Sequence, residues 1–134
     1  MGVALGRIAS VLALLAVAAC TEEPLFGPPT ESVCPPPPTG TALAYENFGK
    51  PFMEAYCTRC HDSKLVGAAR HGATSFHDFD TLFGIKAVKA HIDLSTASGP
   101  AATNTSMPPD GAQPSLEERK QLGEWIACGL PSAP

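Results

Sequence analysis

The segment Cys57-Thr58-Arg59-Cys60-His61 decides how the rest of the chain is interpreted. Two thiols lie three positions apart, and an imidazole directly follows the second thiol. About one helical turn separates Cys57 from Cys60, so both sulfurs can bond to one planar ring system. A neutral imidazole is a good ligand for iron, and His61 would lie beneath an iron held at the centre of that ring system. C-x-x-C-H is the pattern of covalent c-type haem attachment.

A C-x-x-C pair also occurs in thiol redox sites and as half of a zinc site. A zinc site would need partner ligands at a recognisable spacing, and neither a second C-x-x-C nor an H-x-x-x-H follows. A thioredoxin-like site would need a βαβ context, and nothing in this chain is typical of parallel strands. The choice depends on whether the chain supplies an export signal, a second axial ligand and flanking helices.

Residues 1–19 are typical of a secretory signal peptide, with Arg7 ahead of an apolar run that ends in small residues. The run is short for a membrane span, which needs about 20 apolar residues. A buried core helix is the alternative interpretation. The segment therefore predicts export.

Val17-Ala18-Ala19-Cys20 resembles the lipobox of bacterial lipoproteins, in which the cysteine becomes the first mature residue and carries the lipid. Thr21, in place of an Asp after the cysteine, resembles lipoproteins sent to the outer membrane. Two or more acyl chains anchor a protein stably. We therefore expect a protein that is lipid-anchored through Cys20 at the periplasmic face of a bacterial membrane, with the outer membrane favoured.

Residues 20–41 are rich in proline and predict a stiff, extended spacer between the lipid and one small domain over residues 42–134. A ligand for a proline-recognition domain is the alternative. The precursor carries a formal net charge of −4. This acidity argues against nucleic-acid binding and weakly favours a basic or neutral redox partner.

Two of the five cysteines, Cys34 and Cys128, remain after lipid and haem attachment are assigned. An exported protein permits a disulfide, and a bridge between these two would enclose the whole domain. Two separate buried thiols are the alternative.

Hydrophobic periodicity predicts three helices and hence an all-α domain. The first runs from Asn47, its N-cap, to Arg59, with Pro51 in the first turn. The second runs from Asp80 to His91, and the third follows the Ser115/Glu118 capping box and ends at about Cys128. Residues 63–77 and 95–114 are expected to be irregular. The expected buried side chains are Phe48, Phe52, Met53, Ala55 and Tyr56, then Leu82, Phe83, Ile85, Val88 and Ile92, then Leu122, Trp125 and Ile126.

A low-spin c-type haem takes its second axial ligand from the face opposite His61. Met53 lies one turn before Cys57 and is expected to pack in the core. Met107 lies in a long loop that the two following prolines stiffen, which makes it the predicted ligand. Because bis-His ligation is chemically sound, three histidines remain competitors, and an open sixth position is a further alternative. These histidines are His71, His77 and His91.

With these residues in place, residues 42–131 resemble the class I cytochrome c family, specifically a small bacterial lipoprotein member. The resemblance rests on the Cys57 to His61 motif, on Met107-Pro108 and on the helices around the haem loop. It implies a cytochrome c-like fold of about three helices wrapped around one covalently attached haem. In that family the first and last helices cross near a glycine and an aromatic residue, and Gly49 and Trp125 look like the matching pair. Pro51 and the Cys34/Cys128 pair depart from the family pattern.

The resemblance implies one-electron transfer by one haem c per chain, not enzymatic catalysis. Cys57 and Cys60 would attach the haem, and His61 and Met107 would ligate its iron. A thioether ligand raises the reduction potential relative to bis-His ligation. The expected partners are an unidentified donor and acceptor protein, with no nucleic acid, and the chain is expected to be a monomer. The alternatives are a haem enzyme or gas sensor with an open sixth position, and a redox-inert lipoprotein whose C-x-x-C-H is accidental.

Overall fold

A computed structural model describes residues 31–133 of the chain. This part is helical and contains no β-strand, in agreement with the expected all-α class. The predicted signal peptide and Cys20 lie outside the described residues. Within residues 31–133 no helix is long and apolar enough to cross a membrane. The helices are α1 (Lys50–Tyr56), α2 (Leu82–Ala87), α3 (Lys89–Ile92) and α4 (Leu116–Ala127), with π-helical turns at Tyr45–Gly49 and Asp93–Ala97 and a 3-10 turn at Gly67–Arg70.

The first helical segment begins earlier than predicted, at the π-helical turn Tyr45–Gly49, and continues into α1. Asn47 lies inside this turn and is not the N-cap, so that prediction was wrong. Its side-chain Oδ1 accepts the N–H of Ala44 at 2.7 Å and thereby satisfies a backbone donor from within the helix. Pro51 is the second residue of α1.

The second predicted helix consists of two short helices, because the backbone leaves helical geometry at Val88 (φ −126°, ψ 24°). It starts at Leu82, after Thr81 caps it by accepting the N–H of Gly84 at 3.1 Å. Helical conformation also lasts beyond His91, through α3 and the π-helical turn Asp93–Ala97. The prediction that helix ends before Ser95 was therefore wrong.

Two side chains that were predicted to be buried are exposed. Phe83 is 84% exposed, whereas Ile85 is fully buried. Two positions along an α-helix are about 200° apart, so these side chains cannot share one face. Ala55 is exposed for the same reason, because Met53 two positions earlier is in the core. The remaining predicted core residues are buried or packed against the core.

The last helix, α4, has the predicted start and buried face. Ser115 Oγ accepts the N–H of Glu118, and the Glu118 carboxylate accepts the N–H of Ser115 at 2.8 Å. Leu122, Trp125 and Ile126 are buried. The helix ends at Ala127 and is followed by Gly129 at φ +84°, a left-handed conformation that favours glycine.

Residues 31–34, in the middle of the predicted spacer over residues 20–41, lie against the domain. A disulfide joins Cys34 to Cys128 just after α4, with the two Cα atoms 4.7 Å apart. Ser32 lies against Gly123 of α4, where a Cβ atom would overlap the Ser32 hydroxyl. Glu31 lies against Gly99. The N-terminal segment is thus held on α4 before it reaches the first helical turn.

Candidate functional site

The chain after α1 borders a cavity of about 960 Å³, part of which is open to solvent. Cys57, Cys60, His61 and Met107 all line this cavity. Met53 belongs to the hydrophobic core and is only 1% exposed. The structure therefore brings the predicted attachment and ligand residues to one cavity and leaves Met53 in the core.

The Cys57 to His61 segment is a hydrogen-bonded turn and not part of α1, which ends at Tyr56. The predicted helix end at Arg59 was wrong because Cys57 has a φ of −119°, outside regular helix. The Cys57 carbonyl nevertheless accepts the N–H of Cys60 at 3.1 Å and of His61 at 3.0 Å. This single turn keeps the two thiols and the imidazole on the cavity wall.

The two thiols are not bonded to each other. Burial raises the pKa of the Cys57 thiol to about 12, although the positive charge of Arg119 acts in the opposite direction. Cysteines in thiol redox sites have depressed pKa values, so the raised pKa of the Cys57 thiol does not match that chemistry.

A hydrogen bond and a stacking contact hold the ring of His61 in one orientation. Its Nδ1 lies 2.9 Å from the carbonyl oxygen of His77, and the ring stacks on Phe79 at a centroid distance of 4.4 Å. Because a carbonyl only accepts, Nδ1 carries the proton and Nε2 is the nitrogen able to bind a metal. Burial lowers the pKa of His61 and favours the neutral imidazole that ligation requires.

The main chain at Met107 is fixed from both sides. Its N–H donates to the Ser95 carbonyl at 3.0 Å. Its own carbonyl accepts a hydrogen bond of 3.1 Å from Arg119, which also donates to the Thr96 carbonyl at 2.8 Å. Arg119 lies on α4 and is only 4% exposed. The long loop is thus tied to both α4 and the π-helical turn Asp93–Ala97.

All three competing histidines, His71, His77 and His91, also line the cavity. The Nε2 atom of His77 lies 2.9 Å from Nδ1 of His91. His77 Nδ1 is buried and has no hydrogen-bond partner within residues 31–133. Both sets of candidate second ligands are therefore at the cavity, and the choice between Met107 and a histidine stays a prediction.

Sequence reasoning missed three residues of this site. Arg119 shares the spacing of Leu122 and Ile126 on the buried face of α4, and this position was the available signal. Phe79 follows an irregular loop and had no periodic context. Arg70 was assigned to that irregular loop, yet it is buried among backbone carbonyl groups. No pattern in the sequence indicates the last two roles.

The residues present fit a haem bound through two thioether bonds. The cavity wall carries two thiols on one turn beside an oriented imidazole, and Met107 lines the same cavity. Within residues 31–133, no three or more His, Cys, Asp or Glu side chains are grouped so that they could hold a metal ion.

Comparisons of the chain with models of protein families, with curated proteins and with solved structures found no match.

Proposed function

We propose that this protein is a one-electron carrier with a single haem c attached to Cys57 and Cys60. His61 and Met107 would ligate the iron. The observation that carries the proposal is the meeting of the C-x-x-C-H turn and Met107 at one cavity, with His61 Nδ1 bonded to the His77 carbonyl. When bound, haem c supplies an iron couple that accepts one electron from a donor and passes it to an acceptor.

The side chains of this protein would hold the cofactor and fix its surroundings. The His77 carbonyl and the Phe79 ring keep His61 in one orientation. Arg119 fixes the backbone that presents Met107. Preset ligand positions suit electron transfer, because little rearrangement is then needed between oxidation states. Two protein ligands would also leave no coordination position for a substrate, which favours a carrier over an enzyme.

The proposal includes export, lipid attachment at Cys20 and a position at the periplasmic face of a bacterial membrane. Its support is the signal-like segment 1–19 and the sequence Val17-Ala18-Ala19-Cys20. A membrane-tethered carrier would exchange electrons with a donor and an acceptor protein that meet it at that surface.

A visible spectrum of the oxidised and reduced protein, with haem staining after denaturation, tests the proposal. Wild type should keep its haem under denaturing conditions, and Cys57→Ala/Cys60→Ala should carry none. Cys34→Ser/Cys128→Ser is the matched control, because it removes the same number of cysteines and should keep the haem. Wild type without covalent haem would overturn the proposal. Covalent haem with an open sixth position would favour the enzyme or sensor instead.

A further inference from the structure

The loop between His61 and Phe79 is built around one buried guanidinium. Arg70 is only 7% exposed, and all three of its side-chain nitrogens donate hydrogen bonds. Its one acidic partner is Asp78, at 2.8 Å from Nη1. Its other acceptors are backbone carbonyls, those of Asp62 (3.0 Å), Leu65 (3.5 Å), Ala73 (3.3 Å), Thr74 (2.9 Å) and His77 (3.2 Å).

This set of bonds closes the loop onto itself. The acceptors lie both before and after Arg70 in sequence, so one side chain replaces the regular secondary structure that the loop lacks. The loop also ends where it began, because the N–H of Phe79 donates to the His61 carbonyl at 2.7 Å. A lysine could not make the same set of hydrogen bonds, since its side chain has one nitrogen with three N–H donors, whereas the planar guanidinium has three nitrogens with five.

One of these acceptors also orients His61. The His77 carbonyl oxygen accepts from Arg70 Nη2 at 3.2 Å and lies 2.9 Å from His61 Nδ1. A carbonyl oxygen has two lone pairs and can serve both donors. Arg70 therefore holds in place the group that sets the orientation of the His61 ring.

The shared oxygen also couples the two donors electronically. The hydrogen bond from a metal-bound histidine to its acceptor increases the basicity of the ligand. A cationic donor on the same oxygen withdraws electron density from it and weakens it as an acceptor for His61. With haem bound, the imidazole would donate less charge to the iron, which would favour the ferrous state.

We propose that Arg70 is a positioning residue that acts through the shared His77 carbonyl to fix the His61 ring and to raise the reduction potential of the iron that His61 ligates. This inference rests on the proposed function. It adds a role to a loop that has no regular structure except one 3-10 turn.

The test compares four haem-loaded proteins: wild type, Arg70→Lys, Arg70→Met and the control Lys64→Met. Lys64 lies exposed in the same loop, so its removal reports the loss of a nearby positive charge alone. Both Arg70 variants should have a lower midpoint potential than wild type. In nuclear magnetic resonance spectra, the His61 Nδ1 proton should shift and exchange faster with solvent. Lys64→Met should change neither measurement.

Arg70→Lys keeps the charge and loses the fork. If it matches wild type in both measurements, the effect of Arg70 is one of charge alone and the proposal fails. If Arg70→Met matches Lys64→Met, the shared carbonyl has no influence and the proposal fails as well. A purely structural role would change stability while leaving the potential of the folded fraction at the wild-type value.

If the Arg70 variants do not fold, a measurement on wild type decides. The guanidinium protons of Arg70 should exchange with solvent far more slowly than those of exposed Arg59. Equal exchange rates would overturn the proposal. Failure of the proposed function gives a different result, namely a wild-type chain without covalent haem. In that case the exchange of the Arg70 and His61 protons would still test the hydrogen bonds to the shared carbonyl.

Discussion

The α-carbon of Gly49 lies against the indole ring of Trp125, and a Cβ atom at position 49 would overlap the ring. Trp125 is fully buried and its Nε1 donates to the Pro131 carbonyl at 3.1 Å. Phe48 meets the same ring edge-on at a centroid distance of 6.1 Å. The first helical turn and α4 therefore contact each other where position 49 has no side chain. The resemblance to class I cytochromes c indicated this pair from the sequence.

Replacing Gly49 by alanine should destabilise the fold by roughly 1–3 kcal/mol, because the added methyl group must displace a fully buried ring. Urea unfolding of the variant and wild type measures this difference. In a Trp125→Leu background the same replacement should cost less, since the ring that it overlaps is gone. An equal cost in both backgrounds would show that overlap is not the cause.

The capping box of α4 should make stability depend on pH. Hydrogen bonds from the Ser115 backbone and hydroxyl, with a smaller one from Tyr56, hold the pKa of Glu118 below its ordinary value. Because the pKa is lower in the folded state, ionised Glu118 stabilises the fold at pH above its unfolded-state pKa of about 4.5. This stabilisation is lost as the pH falls through the folded-state pKa. Glu118→Gln should cost roughly 0.5–1 kcal/mol at pH 7.

Unfolding midpoints of Glu118→Gln and wild type should converge as the pH is lowered from 7 to below the folded-state pKa of Glu118, where the carboxyl group is protonated in both the folded and the unfolded wild type. Glu117→Gln is the matched control, because it removes the same charge one residue earlier and leaves the Ser115/Glu118 pair intact. A constant difference between Glu118→Gln and wild type at every pH would contradict the prediction.

Met107 should determine the ligation of the iron. Oxidised wild type should show the weak sulfur-to-iron charge-transfer band, and the reduced form should bind carbon monoxide poorly. Met107→Ala should lose the band, bind carbon monoxide readily and have a lower potential. Met53→Leu is the control and should keep the band, because Met53 is in the core. A band that persists in Met107→Ala would move the ligand to Met53, and a wild type without it favours the enzyme or sensor.

The bridge between Cys34 and Cys128 should be recovered as a linked peptide pair when the protein is digested without reductant. Its sequence separation of 94 gives a stabilisation of up to roughly 4–5 kcal/mol in the chain-entropy model. Cys34→Ser/Cys128→Ser should unfold at lower urea concentration, and a reductant should weaken wild type but not the variant. Ready alkylation of both cysteines in unreduced wild type would refute the bridge.

Cys20→Ser should release the protein from the membrane fraction or block its processing, because the lipid would have no attachment site. Fractionation of cells that express each form, followed by haem staining, measures the distribution. Cys34→Ser serves as the control, since it removes another N-terminal cysteine outside the lipobox and should stay in the membrane fraction. Unchanged fractionation of Cys20→Ser would exclude the lipid anchor.

Local signals in the sequence predicted α4 well, but they misplaced the N-cap of the first helix at Asn47. The Ser115/Glu118 box and Gly129 define α4 because capping depends on residues within one turn of the helix end. The second helix was less predictable: its apolar residues Phe83 and Ile85 point to opposite sides, and only tertiary packing selects the buried one. No Pro or Gly lies at Val88 to indicate the break in the helix.

The candidate site divides in the same way. The positions of Cys57, Cys60 and His61 follow from a five-residue motif, because one turn of chain carries all three. The groups that orient His61 cannot be predicted from this motif. The carbonyl of His77 and the side chain of Arg70 belong to a loop whose path is set by contacts between distant residues. Arg119 reaches Met107 across 12 positions, and such a bond cannot be inferred from periodicity.

The Cys34–Cys128 disulfide makes the polypeptide between these residues a covalently closed ring that contains the thiols of Cys57 and Cys60 and both proposed iron ligands. A protease that cuts once inside this ring would leave two fragments still bonded to each other. The fragment that carries Cys57 and Cys60 would stay joined to the N-terminal segment, and so to any lipid there. Release from the proposed membrane anchor would then require either a second cut or a cut ahead of Cys34.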